Sequence, residues 1–166
     1  MARRWLVVLF VVVVMAVSGA EAWSLTSHRP LWKAGPVYVL VEGLRENAKD
    51  TGLTEDQIKT KVELELRSHG IPVGKASDRA TLYVNVNIVG PNSYGLFAYH
   101  ISIAHQEWVN LIRPGKLGTM ATLWDTGATG ISDELSFRDD VLNALGVHVD
   151  SYANGYLAAN EKAKGK

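Results

Sequence analysis

The chain has 166 residues, 47% hydrophobic and 20% charged, with 17 basic residues set against 17 acidic ones. That balance, with no basic stripe, excludes a surface that steers nucleic acid. There is no cysteine, which excludes disulfides, thiolate metal sites and lipid attachment at a cysteine.

Residues 1–22, MARRWLVVLFVVVVMAVSGAEA, read as a secretory signal peptide. Arg3 and Arg4 precede an unbroken apolar run, Leu6 to Val17, and Ala20 and Ala22 take the minus-three and minus-one places of a cleavage site. The run falls short of the roughly 20 residues that span a bilayer as a helix. The alternative is an uncleaved anchor. Removing those 22 residues leaves 144 from Trp23 onward, one ordinary domain, expected to be periplasmic or secreted in a bacterium, with no membrane span after signal removal.

Residues 23–35, WSLTSHRPLWKAG, form a leading arm whose Trp23, Leu31 and Trp32 are expected to tuck against the body. A single domain is expected over 36–160. Residues 36–42, PVYVLVE, are a strand rich in β-branched residues and apolar on both faces, the mark of a central strand. Thr54 and Gln57 make a capping box, and Ile58, Val62 and Leu66 give one apolar helical stripe, with Leu64 off it. Gly70 is the left-handed cap, and His69 before it serves capping. Ile71-Pro72-Val73 fits a short edge strand.

Ala80 to Val89, ATLYVNVNIV, alternates: Leu82, Val84, Val86 and Ile88 inward, Tyr83, Asn85 and Asn87 outward. A turn over Gly90–Gly95 leads to a long extended run, Leu96 to Ile112. Setting Val84 against Ile101 and Asn85 against His100 makes every inward residue meet an inward partner. Pro114-Gly115 turns the chain into a strand from Leu117 to Asp125, and a loop is expected at Gly127–Gly130. A second helix follows, capped by Ser136, with Asp139 and Asp140 complementing its dipole and a buried stripe of Val141, Leu145, Val149, Tyr152 and Tyr156. It ends near Asn160. Residues 161–166, with Lys162, Lys164 and Lys166, read as a disordered tail. The element order predicts an α+β, two-layer sandwich: one mostly antiparallel sheet of four to five strands, with two helices on one face.

The stretch AYHISIAHQEW raises the question of a metal or catalytic site. Five residues along a strand place His100 and His105 on opposite faces, so they share no metal unless a bulge intervenes. His105 lies on the apolar face with Glu107 two residues on. The turn at Arg113 to Lys116 permits two registers. One sets His105 against Asp125 and clusters His105, Glu107 and Asp125, a group capable of proton transfer. The other sets His105 against Trp124. No nucleophile stands beside the group, so the preferred reading is that the long run projects beyond the helices and the polar pair marks where the covered part ends. No metal site and no cofactor is expected, since no phosphate loop or His-Glu-X-X-His string occurs.

The stretches GLTEDQIKTKVELELRSHGIPV and ATLYVNVNIV resemble a group of uncharacterised exported bacterial proteins, over roughly Val37 to Trp124. In element order the chain is similar to small periplasmic assembly modules, such as the amino-terminal domain of the Tol-Pal protein TolB and the lipoproteins of outer-membrane assembly. It lacks the lipid-bearing cysteine of the latter. The resemblance implies a fold and an envelope setting, not an activity. The expectation is a non-enzymatic exported domain that binds a protein or cell-envelope partner through an open sheet face carrying Tyr83, Asn85, Asn87, His100, Ser102 and Trp124. The alternatives are a small periplasmic enzyme using His105 with Asp125 or Glu107, and a structural homodimer.

Overall fold

The computed structural model describes residues 29–45, 48, 51–91, 93–112 and 117–161. Residues 1–22, expected to be a signal peptide, Trp23, the turn at Pro114-Gly115 and the lysine tail lie outside the described residues. A short 3-10 turn at Arg29–Leu31 precedes β1 (Val37–Val41), α1 (Glu55–Ser68), β2 (Ala80–Val89), β3 (Leu96–Asn110), β4 (Gly118–Asp133) and α2 (Phe137–Glu161). The fold is α+β: one four-stranded sheet in the order β1-β2-β3-β4, with β1 parallel to β2 and the other pairs antiparallel.

Local chemistry sets each element. Thr54 accepts from the Gln57 N–H at 3.2 Å, and the Gln57 side chain accepts from the Thr54 N–H at 3.0 Å, so the capping box opens α1. Gly70, at φ +73, ends it. Ile58, Val62 and Leu66 are fully buried, while Leu64, off the stripe, is exposed. On α2 the stripe Val141, Leu145, Val149, Tyr152 and Tyr156 is buried as expected. Its start is held by the Asp133 carboxylate, which accepts from the N–H groups of Leu135 and Ser136 at 3.0 Å each. Between the helices and the sheet, Leu82, Val84, Ile101 and Ile103 are wholly enclosed. α1 packs on β1, and α2 on β3 and β4.

Four expectations need correction. β1 is an edge strand, not a central one; its outer neighbour among the described residues is the isolated bridge Val37–Val73. Its second apolar face, Tyr38 and Leu40, is partly exposed instead of covered. The β2–β3 register is offset by two residues: Val84 faces Ile103, and Asn85 faces Ser102. An even offset preserves facing, so inward residues still meet inward partners. The expected glycine loop is strand, because β4 continues to Asp133. A Cβ at Gly127 would sit 2.5 Å from the Ile101 carbonyl oxygen, and one at Gly130 would sit 2.3 Å from the Tyr99 ring. These glycines mark close packing within a sheet, not a turn. Of the leading arm, Leu31 is buried, but Trp32 stays exposed.

Candidate functional site

The strand pairing lays out the face opposite the helices row by row. Leu40, Tyr83, Ala104 and Asp125 stand side by side across the four strands. Beside them run the rows Asn85–Ser102–Gly127, Asn87–His100–Thr129 and Val89–Ala98–Ile131. Among the described residues, no helix packs on this face. Small residues at Ala104, Ser102 and Gly127 keep its middle low, and Val89 and Ile131 at one end are 69% and 70% exposed.

The polar residues of this face are joined. Tyr83 and Asn85 both donate to the Glu42 carboxylate, which follows β1, and Asn87 donates to the Asn85 side-chain oxygen. Those two donors hold the Glu42 carboxyl below its ordinary value, and the same bond raises the Tyr83 phenol. His100 Nδ1 and Thr129 Oγ1 are 3.0 Å apart. No lysine or arginine occurs in any of the four strands. Arg45, beyond β1, adds a favourable charge to Glu42. The Asp133 carboxylate is engaged at the start of α2, which leaves Asp125 exposed among strands without a cation. Five of the six expected surface residues (Tyr83, Asn85, Asn87, His100 and Ser102) are brought together here.

Trp124 is the exception. It pairs with His105 and faces the helices, its ring 5.3 Å from that of Tyr152 and nearly edge-on. The β3–β4 ladder shifts between His105 and Gln106: His105 pairs with Trp124 and Gln106 with Thr122, leaving Leu123 as the extra residue. The second of the two predicted registers therefore holds at His105, and it puts Asp125 on the outer face opposite Ala104. The cluster of His105, Glu107 and Asp125 does not assemble.

Two of its members do meet. His105 is completely buried against Tyr152 of α2, so, against the expectation from sequence, the polar pair lies beneath the helix and does not mark the end of the covered part. Its Nε2 lies 3.1 Å from Glu107 Oε1, its Nδ1 lies 2.9 Å from the Tyr152 hydroxyl, and Arg79 reaches Glu107 Oε2 at 3.1 Å. A carboxylate only accepts, so Nε2 carries the ring proton; Nδ1 then accepts from the Tyr152 O–H. Burial lowers the His105 pKa, with Glu107 opposing, and burial raises the Tyr152 phenol strongly. Every polar atom of the imidazole is satisfied and none faces solvent. This arrangement secures the sheet to α2 and presents no reactive atom to a substrate. Sequence gave no sign of Tyr152 or Arg79 as partners, because Tyr152 lies 47 positions from His105. Glu42 and Thr129 were likewise missed; alternation places them on the outer face once the strand ends are known.

No protein-family model matches the chain, and no curated protein matches it. Among solved structures, a minor lipoprotein from Acinetobacter baumannii is similar over 77% of this chain and 92% of its own, at 10% identity and a TM-score of 0.35. A likeness that slight carries no function.

Proposed function

We propose that the protein is an exported, non-enzymatic binding module whose outer sheet face receives a protein of the cell envelope. The observation that carries this reading is the hydrogen-bonded array of Glu42, Tyr83, Asn85 and Asn87 on a sheet face that no described element covers. Side chains already fixed by one another lose little freedom on contact, which favours recognition. Asp125, exposed on a face whose strands hold no lysine or arginine, suits a partner segment bearing one of those residues. The exposed row Val89–Ala98–Ile131 adds an apolar edge to the contact.

The export half of the reading rests on the amino-terminal sequence pattern. The test is replacement of Tyr83, Asn85 and His100 together by alanine, followed by cross-linking in intact cells. Loss of the cross-linked species from a protein that keeps its cooperative unfolding is the expected result; recovery of the same species overturns the reading. Sedimentation of the purified protein separates a heterologous partner from a second copy of the chain on the same face.

A further inference from the structure

We propose that Glu65, His69 and Asp150 bind a divalent transition-metal ion of the zinc type where α1 crosses α2. His69 Nε2 and Asp150 Oδ1 lie 2.8 Å apart. With a Glu65 carboxylate oxygen, the three donor atoms all fall within 4.8 Å of one another. Zinc bound to nitrogen and oxygen at about 2.0–2.2 Å in a tetrahedron sets its ligand atoms roughly 3.3 Å apart. A small opening of the His69–Asp150 pair and a rotation of Glu65 meet that spacing. One imidazole with two carboxylates is a donor set for zinc and its first-row neighbours more than for calcium, which takes six to eight oxygens. Three protein ligands leave the fourth position to water.

The fold builds this junction. Glu65 and His69 are four residues apart at the end of α1 and so share its face. The helix stops at Gly70, leaving the imidazole at the terminus. On α2, Gly146 stands one turn before Asp150. A Cβ there would lie 3.4 Å from Lys61 Cε and Nζ and 3.7 Å from Glu65 Oε1, which places the Lys61–Glu65 pair directly against α2. The His69 and Asp150 side chains are 28% and 52% exposed, open enough for an ion to enter. The competitor is Lys61, whose Nζ holds Glu65 Oε1 at 2.6 Å. Its flexible stem can swing into solvent, so bound metal replaces one ammonium and ties His69 to Asp150, 81 positions along the chain, across the two helices.

The experiment is zinc titration of the untagged protein expressed from its full reading frame, followed by calorimetry and thermal unfolding, with cobalt absorption as the spectroscopic probe. One equivalent should bind, with a rise in melting temperature and tetrahedral cobalt bands. H69A and D150N should each weaken binding at least tenfold. K61A should bind zinc more tightly than the parent, because it frees Glu65. Absence of a shift at roughly 100 µM zinc, a concentration that stabilises any folded state with a low-micromolar site, overturns the proposal. So does unchanged affinity in D150N, a substitution at an exposed position that keeps the fold.

Discussion

Tyr152→Phe isolates one hydroxyl in the middle of the molecule. Tyr152 is fully buried, and its ring contacts His105, Trp124 and Tyr156 at centroid distances of 5.8, 5.3 and 6.1 Å. Phenylalanine preserves those contacts, so no large cavity opens and the 3–5 kcal/mol typical of aromatic-to-alanine truncation does not apply. What disappears is the O–H donated to His105 Nδ1 at 2.9 Å. The imidazole acceptor is then left buried without a partner, because Nε2 is engaged by Glu107. An unsatisfied buried acceptor costs about 1–3 kcal/mol. For a chain of this size that lowers the melting temperature by roughly 3 °C per kcal/mol. Urea unfolding at pH 7.5, followed by far-ultraviolet circular dichroism, measures it directly. The companion His105→Leu/Tyr152→Phe double variant should show coupling, losing less than the sum of the singles. A Tyr152→Phe loss within 0.5 kcal/mol of zero, the range of ordinary surface changes, with no coupling, would refute the buried chain.

Acidification should destabilise the protein. Burial depresses both His105 and His148 below the ordinary 6.5, so the unfolded chain binds more protons, and stability present above pH 6.5 is lost as pH falls toward the folded values; unfolding at pH 8, 7, 6 and 5 should show this slope, and His105→Gln should flatten it. Gly127→Ala should cost about 1–3 kcal/mol, because its Cβ would meet a backbone carbonyl that cannot step aside; calorimetry checks it, and an unchanged melting temperature contradicts the packing described for β4. Thr54→Ala should lose about 1 kcal/mol through the capping box of α1, measured by urea unfolding.

Much of the fold could be read from alternation and helical spacing. The period-2 pattern of β2 and the four-residue stripes of both helices each point to one face, and burial follows them residue by residue. The same parity put His100 and His105 on opposite faces. The failures have physical causes. β1 looks central because Tyr38 and Leu40 are apolar, yet an edge strand keeps such residues part-exposed. Gly127 and Gly130 read as a turn, although glycine serves equally where strands crowd. Trp124 went to the wrong face because the extra residue at Leu123 reverses the phase of β4, and a bulge leaves no mark in hydrophobic alternation. Of the outer face, the strand residues were legible, but Glu42 was not assigned to it. The Glu65–His69–Asp150 group was invisible, since it exists only after two distant helices pack.

The absence of cysteine supplies the sharpest test of the binding face. A single cysteine placed at exposed Asn87, on the outer sheet face, is a unique target for a small maleimide, and one at exposed Asn143 on α2 is its control. Labelling rates are compared between the purified protein and intact cells of its source. A partner seated on the sheet predicts strong protection at position 87 in cells and none at position 143. Equal labelling of the two positions in cells and in isolation contradicts the account.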